Sequence, residues 1–188
     1  VPDANPRPPI RSRTPRAEGK ARILDATIEL LRESGPDGVN VRQIAKRSGH
    51  NQRFVIEWFS SKVDLFAEAF ERLAQDFAQS AAVFVQRREL EPDLVLIVRL
   101  MNWLVANGST EFRATARRPI LDLVADQYRE RFSLDDRTAD LLAQRFVGAT
   151  VSMILFGDVL GLAIDDLDDH ISLDIEIAQL LGQNRNAL

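Results

Sequence analysis

The sequence predicts an all-α protein of about nine helices, a three-helix helix-turn-helix head followed by a larger helical body. Two observations carry this. Apolar residues recur at steps of three and four along most of the chain, and no period-two alternation suggests a strand. Capping residues and Gly or Pro stops then cut that pattern into helix-length pieces.

The most structured stretch is Asn40 to Lys62. Val41, Ile44 and Ala45 fall at i, i+3 and i+4, and Phe54, Val55, Trp58 and Phe59 repeat the spacing after a break, so each segment has one face to bury. Asn40 is an N-cap with Gln43 three residues on, Gly49 takes the left-handed conformation that ends the first helix, and Asn51 caps the second. Two short helices around a tight turn form a helix-turn-helix. Such a pair cannot bury both faces alone. The helix from Ala17 to Ser34 supplies the third wall with Leu24, Ile28 and Leu31, widened by Ile23, Ala26 and Leu30, and Ser34 to Gly38 stops it. Lys20 and Arg22 near its start are placed to reach phosphate.

Composition narrows the class. With 188 residues, 45% hydrophobic and 28% charged, the chain reads as soluble and globular. It has no cysteine, which excludes disulfides and thiolate metal sites. No charged segment followed by an apolar one opens it, so a cytoplasmic protein is expected. Residues 1–62 carry 12 Lys and Arg against 7 Asp and Glu, whereas residues 63–188 carry 12 against 21. A basic head on an acidic body suits contact with nucleic acid, because cations placed near phosphates release counterions. The first 16 residues, with Arg7, Arg11, Arg13 and Arg16 among five prolines, read as a disordered basic arm, able to enter a minor groove or to act as a solubilising tail.

In the body, Ser61 and Asp64 form a capping-box-like pair before a long helix striped by Phe66, Phe70, Leu73, Phe77, Ala81 and Phe84. Pro92 opens a helix over 93–106 with Leu96, Leu100, Trp103 and Leu104 inward. Pro119 opens another through Phe132, with Ile120, Leu123, Val124 and Tyr128 on one face. A long helix is expected over 138–164. Its stretch Val147 to Ile164 has Asp158 as its one charge and approaches the minimum length of a membrane span. Asp158 and the lack of a second span favour a helix buried all round, partly against another subunit, with no membrane contact. A closing helix runs over 171–181 with Ile171, Ile175, Ala178 and Leu181 inward, leaving 183–188 as a tail.

The order of elements and the run Gly35-x-x-Gly38-Val-Asn-Val-Arg-Gln-Ile-Ala-Lys-Arg-Ser-Gly49, followed by Phe59 and Ser61-Lys62-x-x-Leu65, resemble the TetR family of bacterial transcriptional regulators. The match in sequence covers about residues 17–70, and only helix order and length agree beyond it. The resemblance implies a head over 17–63 and a ligand-binding and dimerisation body over 64–182. It implies a homodimer on a palindromic double-stranded DNA operator, most simply a repressor released by an unidentified small-molecule effector, with no cofactor. Asn40, Arg42, Asn51, Gln52, Arg53, Glu57 and Lys62 are the expected DNA-binding residues. Gln52 and Arg53 would read bases, and Lys62 at a helix N-terminus would hold phosphate. Phe70, Phe77, Met101, Trp103, Leu104, Val124, Tyr128 and Phe156 are candidate walls of an effector pocket, and Arg99, Arg117 and Arg118 are candidate partners of an anionic effector.

The chain departs from the family at Arg53, Phe54, Ile56 and Glu57, where a small residue, threonine, tyrosine and tyrosine or histidine are usual. Glu57 either accepts a hydrogen bond from cytosine N4 or repels phosphate. This opens an alternative function, a helical dimer with weakened DNA binding that acts through protein–protein contacts. The chain has no G-x-S-x-G, P-loop, H-E-x-x-H or dinucleotide turn, so no enzyme is expected. The aspartates at 165–169 beside His170 lack the spacing of a calcium loop, so no metal is expected.

Overall fold

The computed structural model describes residues 16–80, 91–108, 119–163 and 166–186. Among these the regular structure is helical throughout: α1 Arg16–Gly38, α2 Val41–Ser48, α3 Gln52–Phe59, α4 Lys62–Ser80, α5 Glu91–Asn107, α6 Pro119–Phe132, α7 Asp136–Leu160 and α8 Leu167–Asn186. The arm up to Pro15, the continuation of the α4 stripe to Ala81 and Phe84, and the segment with Arg117 and Arg118 lie outside the described residues.

The caps form where the sequence places them. Asn40 accepts from the Gln43 amide at 3.0 Å while the Gln43 side chain accepts from the Asn40 amide at 2.8 Å, a reciprocal capping box. Gly49, at φ 71°, closes α2. Ser61 accepts from the Asp64 amide and its hydroxyl donates to the Asp64 carboxylate, at 3.0 and 2.7 Å. Within α1, Gly35 adopts φ 67° and ψ 174°, so the helical path ends at Ser34 as expected and the chain turns through Pro36 to Gly38.

Two apolar clusters hold these helices together. The first joins Ile23, Ile28, Leu30 and Leu31 of α1 to Ile44, Val55 and Phe59 of the next two helices, and runs on without a break into Leu65, Phe66 and Leu73 of α4 and Ile97, Leu100 and Leu104 of α5. The second joins Val124, Tyr128 and Phe132 of α6 to Leu142, Ala143 and Phe146 of α7 and Ala178 of α8. Ile120 packs against both. Ion pairs between elements follow the same scheme: Arg47 links α2 to Glu29 and Glu33 of α1, Lys20 links α1 to Glu68 of α4, and Arg32 grips Asp93 of α5 through two hydrogen bonds.

The last two helices depart from expectation. The long helix stops at Leu160, not Ile164, because Gly161 turns left-handed at φ 69° and the Gly161 and Leu162 amides both fold back on the Gly157 carbonyl. It begins at Asp136, capped by Asp135 on the Thr138 amide. The closing helix begins at Leu167 and runs through Asn186, taking in most of the expected tail. Its buried face includes Asp174, which pairs with Arg145 of α7, whereas Leu181 faces outward.

Because α5 shares its core with the head, a cavity in α5 should be felt there. Leu100→Ala is expected to lower stability by about 2–5 kcal/mol. Native-state hydrogen exchange should show amides of α1 and α5 losing protection together.

Candidate nucleic-acid interface

The surface of α3 follows from what the helix buries. Val55 and Phe59 point into the first cluster, at 1% and 3% exposure. At 3.6 residues per turn, Arg53 and Glu57 therefore lie on the opposite side, the centre of the outward face. Their side chains are 85% and 52% exposed and their charged groups lie 3.6 Å apart, an i,i+4 ion pair lying along the helix. Phe54 and Ile56 flank this pair, exposed at 40% and 44%. Phe54 was expected inward with Val55 and Phe59; it instead leans along the surface and stacks on Trp58, ring centres 5.1 Å apart. Gln52 and Asn51 stand exposed at the helix start, where the Asn51 side chain accepts from the Arg53 amide at 2.9 Å.

Trp58 fixes how α3 sits against α1. Its ring meets His50 edge-on at 5.7 Å and lies so close to Gly19 that a Cβ built there would come within 2.5 Å of the indole. His50 Nδ1 lies 2.8 Å from the Ser48 carbonyl, which fixes Nδ1 as the donor and sets the imidazole in the turn between α2 and α3. Gly19 was absent from the expected set. A glycine inside an otherwise regular helical stripe is the signal that pointed to it.

The cations of the head divide into committed and available groups. Arg47 is committed: its hydrogen bonds to Glu33 and Glu29 hold the guanidinium above its ordinary range, and the same bond to Arg47 draws the Glu33 carboxyl down. Lys20 is held by Glu68 above the Phe59 ring, and Arg22 by Glu18, so neither basic group expected at phosphate from α1 stands unpaired. Lys62 is engaged as well. Its ammonium donates to the Pro36 carbonyl at 3.4 Å and sits 4.8 and 4.9 Å above the Phe66 and Trp103 rings, and burial lowers its pKa. The side chain expected at phosphate is thus turned inward, between the α1–α2 turn and α5. Arg42 and Lys46 of α2 remain exposed beside α3.

The expected pocket walls do not share one chamber. Phe70, Phe77 and Leu104 are buried in the first cluster, with Met101 and Trp103 packed against it, while Val124 and Tyr128 belong to the second. Phe156 lines neither, because it lies on the outer face of α7, half-exposed. Burial pushes the Tyr128 hydroxyl pKa up to about 12. Arg99 is exposed on α5. A shallow surface depression of about 310 Å³ is lined by Asp136, Arg137, Asp140, Leu141 and Gln144, away from all these groups.

Residues 23–69 match the family model described as bacterial regulatory proteins, tetR family. That stretch carries the TetR-family N-terminal domain. The fold agrees with that of a candidate TetR-family transcriptional regulator from Mesorhizobium loti MAFF303099, at a TM-score of 0.57 and 15% identity over 90% of this chain and 98% of that one. A TetR-family regulator from Shewanella sp. PV-4 follows at 0.48 and 19%, over 87% and 97% of the two chains. The regulator FadR from Bacillus subtilis, solved with stearoyl-CoA, also stands at 0.48 and 19%, over 86% and 96%. No curated protein matches this sequence. The match thus runs from Ile23 in α1 to Ala69 in the first half of α4, and includes the α3 helix that carries Arg53 and Glu57.

Because Trp58 fills the space above Gly19, Gly19→Ala is expected to displace the indole and cost roughly 1–3 kcal/mol. Thermal unfolding followed by circular dichroism checks it. A variant as stable as the wild type would show that α3 is not held through this contact.

Proposed function

We propose that the protein is a DNA-binding transcription regulator that acts as a homodimer, placing one α3 in each major-groove half-site of an operator with two-fold symmetry. The observation that carries this reading is the outward face of α3, where Arg53 and Glu57 present hydrogen-bonding groups while Val55 and Phe59 are buried behind them, with Gln52 exposed at the helix start. Arg42 and Lys46 supply phosphate contacts from α2, and Asn40 and Asn51 act as caps at the edge of the same surface. The dimer is supported by Phe156, Val159 and Leu160 of α7 and Leu173, Leu180 and Leu181 of α8, apolar side chains exposed on the last two helices. α7 is the one helix among the described residues long and apolar enough to cross a membrane, with 33% of its most apolar window buried in the chain. Pairing with a second copy covers the remainder without a bilayer, in keeping with a cytoplasmic protein.

A small molecule binding in the body would release the operator by favouring a conformation with altered head spacing. A hundredfold loss of DNA affinity requires about 3 kcal/mol of preference for that conformation. Repression is the simplest form of such control. A second reading, a helical dimer acting through protein contacts, is favoured by the exposed Phe54 and Ile56 on α3.

Mobility shift on the DNA upstream of the protein's own gene tests the first reading. Arg53→Ala is expected to weaken the specific complex by about 1–3 kcal/mol, whereas Lys62→Met, which keeps the buried stem, should change affinity little. An unchanged complex for Arg53→Ala, or no specific complex, would favour the protein-binding alternative. Separately, Val159→Glu places a charge at a side chain 85% exposed in the single chain. Sedimentation is expected to show a dimer for the wild type and a monomer of unchanged helicity for the variant.

A further inference from the structure

We infer that Arg53 and Glu57 act as one reading unit for a single G·C base pair, with Glu57 withholding Arg53 from any other sequence. The inference rests on the proposal that α3 enters the major groove. The two charged groups lie 3.6 Å apart at the centre of the outward face. Guanine O6 and cytosine N4 of one base pair are hydrogen-bonded to each other and so stand about 3 Å apart, each also presenting a hydrogen-bonding site in the groove. Arg53 can therefore donate to guanine N7 and O6 while Glu57 accepts from cytosine N4, with little rearrangement of either side chain. An A·T pair reverses the match. Adenine N6 brings a donor against the guanidinium, and thymine O4 brings an acceptor against the carboxylate.

The pairing also decides what happens on the wrong sequence. In the free protein the guanidinium and carboxylate offset each other, so together they add no net charge toward phosphate. Phe54 and Ile56 flank the pair and displace water as the helix docks, which leaves Glu57 without solvent or partner unless cytosine supplies a donor. Both side chains are exposed and among the described residues the pair makes one ionic contact, so exchanging it for bases gives up little. A carboxylate on this face thus acts against random DNA and in favour of one base pair.

The test selects bound duplexes from a random library with the full-length protein. It then measures the affinity of wild type and Glu57→Gln for the preferred site and for versions with the candidate pair replaced, at several salt concentrations. Helicity by circular dichroism confirms that the variant is folded. For wild type, replacing G·C by A·T is expected to weaken binding roughly five- to 150-fold, the range for one good bidentate pair. Glu57→Gln should bind random DNA more tightly, with a salt dependence steeper by about one phosphate as Arg53 is freed, and should discriminate less at that pair. If Glu57→Gln keeps the wild-type discrimination and salt slope on a site the wild type binds specifically, the inference fails while the regulator reading stands. If the wild type selects no sequence, both fail.

Discussion

The structure depends on one continuous apolar core that joins the head to the first two helices of the body. Ile23, Leu31, Ile44, Val55 and Phe59 would make a marginal cluster in a three-helix unit of this size. They are completed by Leu65, Phe66, Leu100 and Leu104, so α4 and α5 are structural parts of the head as well as the start of the body. Arg32 to Asp93 and Lys20 to Glu68 clamp the same seam from outside, and Lys62 bridges it from within. Exposed ion pairs of this kind add little stability individually.

From that core follows the character of α3. The helix is eight residues long and spends Val55 and Phe59 on anchorage, with Trp58 wedged over Gly19 beside His50. Apart from Gln52 at the helix start, the remaining positions are two charges of opposite sign between two apolar side chains, all exposed. Exposed positive charge is thus carried by the neighbouring α2, in Arg42 and Lys46, while the centre of α3 is electrically balanced. On the proposed DNA-binding reading, such a face and a basic flank would divide the labour between base recognition and backbone attraction.

Much of this was legible in the sequence because it is local. The Asn40, Asn51 and Ser61 caps, the Gly49 turn and the stripe of α1 depend on residues three or four apart, and they form as the spacing dictates. What escaped was set by partners distant in the chain. Lys62 carries no local mark of being drawn toward Pro36 and Trp103, because the carbonyl is 26 residues away and the ring belongs to another helix. Phe54 fits the apolar spacing of α3 but is left outside by a core that Val55 and Phe59 already fill. Asp174 does fall in the stripe of α8, between Ile171 and Ala178, and only its charge hid it. A buried carboxylate is tolerated there because Arg145 on α7 neutralises it. The candidate pocket walls divide between two clusters for a related reason. Apolar periodicity identifies a buried face without saying which of two cores it enters, and the candidates from α4 and α5 belong to one cluster while those from α6 belong to the other.

The long apolar helix shows the same limit from the opposite side. An 18-residue stretch with one charge reads as buried all round, yet within a single chain α7 buries Thr150, Met153 and Gly157 and leaves Phe156, Val159 and Leu160 outside. Composition records the sum of everything a helix touches, including contacts that no single chain contains. Two features separate the inner contacts from the outer ones. Gly157 is placed where the Leu162 carbonyl approaches within 2.6 Å of a would-be Cβ, so it belongs to the turn that ends the helix within its own chain. Exposed apolar residues occur on α8 as well, at Leu173 and Leu180, so two consecutive helices leave apolar side chains outside. A bilayer would require every side of α7 to be apolar, whereas Asp140, Gln144 and Arg145 occupy the N-terminal half, with Asp140 beside Arg129 and Arg145 paired to Asp174. Apolar on two sides and polar along part of its length, α7 is suited to lie between α6 of its own chain and the surface of a second protein.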